Sequence, residues 1–449
     1  MSKRLVFVIA AILATPLAAG AQNWSFDARR IALGGALSGG NPASQLIEEE
    51  HDYRAIVLPI GLFQVLRNLN IFKPDSPEFD LVRSVEYAAS PLHYVIGRDE
   101  TGTGVNFVTD IRNGRLNRDL NSYRGFVPVS QPLSEGLSNP SFGGTIKLWR
   151  GREGAFEGIY IGAGPYLAMR DAVTVDPQLT TILDSSTPVY VPNTQLGIRS
   201  EMRGEGALAI TGGYRARAVG WQGGSTRDGV YIAANYHYLR GLRYETGDLA
   251  LRFDTDRNGL LTSTAASGTP LAIARDTSTS GNGFAIDLGA AVVANGWEFG
   301  FGANGIANRI TWTDVERTTY SLPSVVAGGA TFIESPAQPQ PDARVELPVD
   351  YRGNVGYRST HWAAVAEAGH GFQGGSFHAG AEYKGAGFAV RGGGLYTREE
   401  WHPTGGIGVP LGGRVGLDVA IFTTTANIER KRHAAVALSL RIGRRGKIV

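Results

Sequence analysis

The chain has no cysteine, and after its first 21 residues it has no apolar run of transmembrane-helix length. The lack of cysteine excludes disulfides, thiolate metal sites and an anchor on a lipidated cysteine. A dominant charge is lacking too, since 43 basic residues stand against 41 acidic ones. That balance does not favour nucleic-acid binding. We therefore expect neither a helical membrane protein nor a nucleic-acid partner.

The first 21 residues have the three parts of a secretory signal peptide. Lys3 and Arg4 form a positive start, about 14 apolar residues follow, and Ala19-Gly20-Ala21 offers a small-residue cleavage site. A spanning helix needs roughly 20 apolar residues, so a retained anchor is the less favoured alternative. The pattern predicts export, with cleavage near Ala21.

Glycine is abundant, at 61 of 449 residues, which is about twice its usual share. The glycines lie in stretches that alternate apolar with small or polar side chains. At 283–292, Phe284, Ile286 and Leu288 share one face and Asp287 lies on the other. A period of two is typical of strands. Further stretches of this kind occupy 376–385, 387–396, 414–422 and 435–443.

Two architectures fit such strands, a soluble sandwich and a transmembrane barrel. The polar face is rich in Gly, Ala and Ser and carries charges of both signs, which suits a confined lumen. A short turn at 294–296 contrasts with long polar stretches near 242–282 and 313–344, which we interpret as extracellular loops. Aromatic residues near strand ends are candidates for interfacial girdles: Tyr236, Tyr238, Trp297, Trp312, Tyr383 and Tyr396.

The sequence therefore predicts an all-β protein, a transmembrane antiparallel barrel of roughly 14 strands in the bacterial outer membrane, in contact with its lipid. We place the barrel at 54–443, after an N-terminal segment at 22–53 and before a basic tail at 444–449. A strand is expected at 55–66. Helical spacing predicts a helical insert at 74–95 and a short helix at 176–183.

Two polar patterns resemble a nucleotide-binding loop and a calcium loop, but each lacks residues that such a site needs. The stretch DARRIALGGALSGGNPAS (27–44) lacks the glycine spacing and the Lys-Ser/Thr of a nucleotide loop. Asp254, Asp256 and Asn258 occupy positions 1, 3 and 5 of a calcium loop, but position 12 is Ala265 instead of Glu. A turn at the tip of a loop is the alternative.

The sequence nominates no catalytic residues. No G-x-S-x-G elbow is present, and the eight histidines show no metal-ligand spacing. Alternation puts His370 and His378 on different faces of their strands. We therefore expect neither an enzyme nor a cofactor.

Five charges fall on the predicted lumen face: Asp287, Glu382, Arg391, Asp418 and Arg441. Charges of both signs inside a barrel must pair or stay hydrated, because an isolated buried charge is very costly. An ion-pair network that supports the interior is the simpler interpretation. A polar path or a docking surface for a plug is the alternative.

The N-terminal segment carries a more specific pattern. Ala28-Arg29, then Ala32-Leu33-Gly34-Gly35-Ala36, then Asn41-Pro42-Ala43 resembles the start of long-chain fatty-acid transporter (FadL-like) outer-membrane barrels. The strands at 283–292, 297–312 and 379–396 resemble those of that superfamily and of its TraF-like and PorV-like relatives.

The resemblance implies a fourteen-stranded barrel whose N-terminus folds inward as a hatch, with a hydrophobic small molecule as its ligand. In such transporters the ligand leaves sideways through a gap in the wall. The hatch would include Gly34, Gly35, Asn41, Pro42 and Ala43. Relatives of this kind also serve as partners in secretion or conjugation machinery, so a barrel that anchors a protein partner and transports nothing is the alternative.

Overall fold

The computed structural model describes residues 22–23, 25, 27–36, 40–50, 94–96, 103–126, 128, 130–138, 142–221, 227–262, 269–326, 331–372, 374–397, 400–412, 415–425 and 432–442. The signal peptide, the strand at 55–66, residues 74–93 of the helical insert and the tail at 444–449 lie outside these ranges. The insert prediction is wrong at Tyr94 and Val95, which are strand residues paired with Val436 and Ala435.

Strands make up most of the described residues. The first eleven are β1 (Gln22–Asn23), β2 (Tyr94–Ile96), β3 (Gln131–Ser138), β4 (Phe142–Arg150), β5 (Phe156–Val175), β6 (Gln195–Gly220), β7 (Gly229–Asp254), β8 (Leu271–Ser278), β9 (Ser280–Ala294), β10 (Trp297–Thr313) and β11 (Val315–Leu322). The others are β12 (Ile333–Glu334), β13 (Gln338–Gln340), β14 (Ala343–Val345), β15 (Asp350–Arg358), β16 (Trp362–Gly371), β17 (Gly374–Lys384), β18 (Ala389–Thr397), β19 (Glu400–Gly412), β20 (Val415–Thr425) and β21 (Arg432–Ile442).

Four α-helices lie among the described residues: α1 (Ala28–Ala32), α2 (Pro42–Glu50), α3 (Thr103–Arg112) and α4 (Pro177–Asp184). The helix predicted at 176–183 is confirmed as α4. Asp176 caps it by accepting a hydrogen bond from the backbone N–H of Gln178, and Pro177 occupies the first turn, where its missing N–H costs nothing. No helix in the described part of the chain has the length and apolar character needed to cross a membrane.

The strands form one antiparallel meander, in which only β1 and β3 pair in parallel. When β3–β4 and β14–β15 are each counted as one interrupted strand, the described wall has fourteen strands. They are β2, β3–β4, β5, β6, β7, β9, β10, β14–β15 and β16 to β21. The first of them, β2, pairs with the last, β21. No pairing of β2 with β3–β4 is among the described contacts, so the described meander runs over thirteen strands from β3–β4 to β21, with β2 beside β21. This antiparallel all-β wall has the strand order of an up-and-down barrel, which confirms the predicted fold class.

The polarity of the barrel is the reverse of that of a soluble protein. Glu382 and Asp418 on the inner face are fully buried, whereas the large apolar side chains point outward. Thirteen large apolar side chains are more than half exposed among the described residues, and Ile146, Leu148, Ile161, Ile210, Phe301, Ile407 and Ile421 are seven of them. Aromatic pairs such as Trp297–Tyr357 and Trp362–Tyr383 lie on the same outer surface.

Two predictions about the upper part of the barrel are wrong. The stretches at 242–282 and 313–344, which were interpreted as loops, instead contain strands: the upper half of β7, and β8 and β11. Their side chains continue to alternate beyond the barrel. Trp312 does not join a girdle and is fully buried. The irregularity in β10 adds two residues relative to β9, which preserves the alternation, so Trp312 shares the inner face with Glu298.

The extended strands carry an apolar core of their own, which we call the outer cluster. It joins α3, α4 and the upper ends of β5, β6 and β7 through these buried residues: Phe107, Ile111, Leu116, Leu120, Tyr123, Phe126, Val173, Val175, Leu179, Ile182, Leu183, Leu196, Leu251, Phe253, Leu261, Leu271, Leu322 and Val325. Tyr123 donates a hydrogen bond of 2.6 Å to Asp110. Burial is the main reason that the pKa of Tyr123 is raised to about 12, and this hydrogen bond is the second reason.

Candidate functional site

The N-terminal segment, residues 27–36 and 40–50, lies against the inner face of the barrel. Helix α1 packs on β18 to β21, and α2 packs on β7, β9 and β10. Asp27 caps α1 through a 2.9 Å hydrogen bond from the N–H of Arg29. The chain then turns at Gly34 and Gly35, whose φ angles of +76° and +79° favour glycine.

Asn41 starts the second half of this segment. Its side-chain oxygen accepts a 2.9 Å hydrogen bond from the N–H of Ala43, and its carbonyl accepts one from Gln45. Pro42 is the first residue of α2. Ala43 is fully buried in a cluster with Leu46 and Ile47. Each of the five residues expected in a hatch therefore contacts the barrel interior or is next to a residue that does.

Glycines on the wall admit the backbone of this segment at two places. In the first glycine socket, Gly380 of β17 pairs with Gly393 of β18. A Cβ on Gly380 would lie 2.6 Å from the Cα of Leu33, and one on Gly393 would lie 2.7 Å from the nitrogen of Gly34. Real Cβ atoms do not approach so closely, so larger residues here would displace the segment.

The second glycine socket lies four strands away along the wall, where Gly289 of β9 pairs with Gly302 of β10. A Cβ on Gly302 would lie 2.9 Å from the Cα of Asn41, and one on Gly289 would lie 2.9 Å from the nitrogen of Ala43. Sequence reasoning did not single out these four wall glycines, because it read the glycines as generic small lumen residues.

A buried ion network joins the segment to the wall beside the first socket. Arg29 donates to both oxygens of Glu382 at 2.8 and 2.9 Å. Arg391 bridges Glu382 and Asp418 at 2.6 and 2.7 Å, and Arg441 also donates to Asp418. Four of the five predicted lumen charges therefore meet in one network, and Arg29 adds a charge from the segment.

The fifth predicted charge, Asp287, belongs to a separate chain of hydrogen bonds. Its Oδ2 lies 2.6 Å from Nε2 of His237, whose Nδ1 lies 2.8 Å from Oγ1 of Thr211. Its Oδ1 accepts a 2.9 Å hydrogen bond from the N–H of Gly305, within the irregular part of β10.

Further ion pairs of the segment were not expected from the sequence. Glu48 pairs with Arg30 and Arg358, and Glu49 pairs with the fully buried Arg215. The guanidinium of Arg215 also lies 3.5 Å from the ring centre of Tyr160. The sequence signal for these ion pairs was the run of three glutamates at 48–50, close to the glycine motif.

The histidines and the calcium pattern hold no metal site in the described part of the chain, where no group of three or more potential ligands occurs. His378 is buried with Nδ1 2.7 Å from the carbonyl oxygen of Gly34, while His370 is exposed. Asp256 accepts hydrogen bonds from the N–H groups of Leu260 and Asn258, which hold the pKa of its carboxyl below the usual range. The stretch at 254–259 is thus a turn built on Asp256.

Described residues of the barrel line a lower and an upper cavity. The lower cavity, about 510 Å³ in volume, lies beside the short turn at Asn295 and is lined by Arg29 and Ile47 of the segment. The upper cavity, about 500 Å³, lies above the segment. Its lining is a mixture of apolar and charged residues: Ala168, Glu205, Tyr244, Val345, Leu347 and Phe372 are six of them.

The wall beside the upper cavity is interrupted. The pairing of β10 with β14 ends at Ile310, and its pairing with β15 begins again at Asn304. In the interval, the side chain of Asn308 accepts from the N–H of Leu347 and donates to its carbonyl, both at 2.8 Å. Side-chain bonds thus replace the backbone ladder at this point.

Comparison with known proteins finds no matching family model and no matching curated protein. Among solved structures, the chain is similar to the Ralstonia pickettii toluene transporter TbuX, with 13% identity, a TM-score of 0.31 and coverage of 67% of this chain and 79% of that one. It is also similar to the CymD monoaromatic hydrocarbon channel, with 10% identity, a TM-score of 0.36 and coverage of 80% and 96%. The P. putida toluene transporter TodX is another, with 10% identity, a TM-score of 0.26 and coverage of 65% and 82%.

Proposed function

We propose that this protein is an outer-membrane channel for small hydrophobic molecules, closed in this structure by its N-terminal segment. The observation that carries the proposal is the position of that segment. It is docked through two glycine sockets and the Arg29–Glu382 pair, and it lies below a cavity whose lining mixes apolar and charged side chains.

The outer surface supports a membrane location. A band of exposed Ile, Leu and Phe side chains would be costly in water and is matched to lipid tails. The paired charges Glu382, Arg391 and Asp418 lie on the inner face, where they do not meet lipid. The predicted signal peptide supplies the export that this location requires.

The described geometry supports a path in two steps. A ligand enters the upper cavity from the outer side, and the N-terminal segment blocks direct passage to the lower cavity. The interruption between β10 and β14–β15 offers a sideways exit, because Ile306 on its outer side is exposed and only side-chain bonds of Asn308 close the ladder. A hydrophobic molecule leaving there would enter lipid without crossing water.

Wall glycines allow a direct test of the plug. Gly380→Val and Gly302→Val place side chains against the backbone of the segment, at a cost of about 1–3 kcal/mol or more for overpacking. The matched controls are Gly392→Val and Gly353→Val, since nothing lies within 4 Å of a Cβ at either position. Heat-modifiable gel mobility checks that each barrel has folded.

We expect the two socket variants to raise the conductance of the barrel to small ions in planar bilayers and to alter uptake of toluene by cells. The two control variants should behave like the wild type. Folded socket variants with wild-type conductance and uptake would contradict a plug. A barrel that passes no hydrophobic molecule and instead holds a stoichiometric protein partner after gentle extraction would favour the anchoring alternative.

A further inference from the structure

One buried acid is not used by the N-terminal segment or by the ion networks. Glu205 of β6 is only 8% exposed and lines the upper cavity. The one hydrogen bond to it among the described contacts comes from Nε1 of Trp312, at a long 3.4 Å. The described contacts include no hydrogen bond to its other carboxyl oxygen, Oε1, and the residue lines a cavity of about 500 Å³.

The surroundings hold this acid in a fixed place. Trp312 is fully buried against Gly241 and Gly281, where a Cβ would lie 2.5 and 2.6 Å from its ring. The ring of Tyr244 stacks on Trp312 with centres 5.5 Å apart. Both Glu205 and Tyr244 line the cavity, so the carboxyl group lies at the edge of a rigid aromatic wall.

A buried carboxyl group without a full set of partners is costly, and a ligand that donates a hydrogen bond recovers part of that cost. A plain hydrocarbon in the same place recovers none. Arg170, Arg203 and Arg344 line the same cavity, and Glu201 and Glu346 line it together with Glu205, so its charges are balanced. A neutral hydroxyl group supplies the missing hydrogen bond without disturbing that balance.

We propose that Glu205 makes the upper cavity selective for apolar ring compounds that carry a neutral hydroxyl group, over the corresponding hydrocarbons. The hydroxyl group donates to Oε1 of Glu205, and the ring packs on Tyr244 and on the apolar side chains of Val345 and Leu347. This selectivity rests on the proposed function, because it names the ligand class of the same channel.

Binding of p-cresol and toluene tests the selectivity, since these two molecules differ by one hydroxyl group. Equilibrium dialysis of each labelled compound against the full-length protein in detergent gives the two Kd values, with a detergent-only chamber as the blank. A hydrogen bond contributes about 0.5–1.5 kcal/mol, and up to about 3 kcal/mol where the acceptor is charged, so we expect p-cresol to bind several-fold more tightly than toluene.

Three variants locate the effect. Glu205→Leu should bring the two Kd values together by weakening p-cresol, while Glu205→Gln, which retains an acceptor oxygen, should keep part of the preference. Glu316→Leu removes an exposed glutamate of β11 outside the cavity and should change neither value. Heat-modifiable mobility shows that the variants are folded, and Glu205→Gln keeps the test valid where Glu205→Leu fails to fold.

The outcomes separate the two proposals. Equal Kd values for p-cresol and toluene in the wild type, or a preference unchanged in folded Glu205→Gln and Glu205→Leu, would overturn the role of Glu205 and leave the channel intact. Failure of the wild type to bind either compound would overturn the proposed function, and the selectivity with it.

Discussion

The N-terminal segment lies inside the barrel and the outer cluster packs on the extended strands beyond it, and the two are held by different forces. The segment docks through ion pairs and close backbone contacts, of which Arg29–Glu382 and Leu33 on Gly380 are examples. The outer cluster is held by apolar side chains packed around Phe107, which is fully buried.

This difference bears on which region is able to move. Ion pairs and polar contacts next to water-accessible cavities are replaced by hydration when they separate, so their net contribution is modest. Hydration does not compensate for the loss of apolar contacts in this way, because exposing apolar surface to water costs about 25 cal/mol per Å². We therefore propose that the segment is the part that moves and that the outer cluster stays fixed.

The largest effect is expected in the outer cluster. Phe107→Ala removes a ring that packs on Tyr123 and Phe126 at 5.2 and 5.4 Å between centres. Loss of a buried phenylalanine costs about 3–5 kcal/mol. We expect hydrogen exchange in α3 and α4 to accelerate strongly, while the barrel keeps its heat-modifiable mobility.

The exposed Ile333 is the control for this variant. Ile333→Ala removes a side chain that is 58% exposed, and such surface changes usually stay within about 0.5 kcal/mol. Similar exchange in Phe107→Ala and Ile333→Ala would show that the outer cluster is not a cooperative core.

A smaller effect is expected from Arg29→Ala. It removes two charge-assisted hydrogen bonds, but Arg391 and Lys384 still pair with Glu382, so the loss in docking should be about 1.5–3 kcal/mol. Since the chain has no cysteine, a single Leu33→Cys reports on docking through its rate of maleimide labelling. We expect Arg29→Ala to raise that rate by about tenfold or more.

Arg344→Ala is the matched control for that pair. Arg344 is more than half exposed and pairs with the exposed Glu346, and such pairs contribute about 0–1 kcal/mol. Labelling of Leu33→Cys should be nearly unchanged. A rise as large as that in Arg29→Ala would mean that the ion pair at Glu382 does not hold the segment.

The smallest effect concerns acid stability of the turn at 254–259. The hydrogen bonds from Leu260 and Asn258 hold the pKa of Asp256 below its ordinary value. A carboxyl whose pKa is lower in the folded state stabilises the turn above its ordinary pKa of about 3.9, and this is lost as the pH falls through the folded value. Hydrogen exchange of peptide 254–262 should accelerate there, after correction for intrinsic rates.

Asp256→Asn keeps the acceptor oxygen and removes the titrating group, so the acid dependence should disappear. Persistence of the same dependence in the variant would assign it to another carboxyl. Chelators should leave exchange of the peptide unchanged, because backbone N–H groups occupy Oδ1 of Asp256. Faster exchange after chelation would revive the calcium interpretation.

Much of the barrel follows from the sequence, because alternation is a local property. The inward position of Asp287 and the outward position of Leu288 can be assigned from their neighbours alone, and the structure has them so. The short turn at Asn295-Gly296 is equally local, since both residues take positive φ. Helix α4 was recognisable from Asp176 and Pro177 for the same reason.

The partners of these residues were not predictable, because register joins residues far apart in the chain. Nothing in the alternation shows that Gly380 and Gly393 pair to admit Leu33, or that Arg29 reaches Glu382. The prediction for Trp312 was wrong for a related reason. Its side chain was assigned to an outer girdle because it lies near a strand end, although it is an even number of residues from Glu298 and so lies on the same inner face.

The sequence by itself determined that the chain forms alternating strands with an apolar face and a small or charged face, since a period of two fixes which side chains lie together. What the inner face holds depends on the folded chain. Folding brings glycine pairs of two hairpins against the N-terminal segment and Glu382 beside Arg29, and these long-range contacts create the sockets and the ion network, while the strands around Glu205 form the cavity.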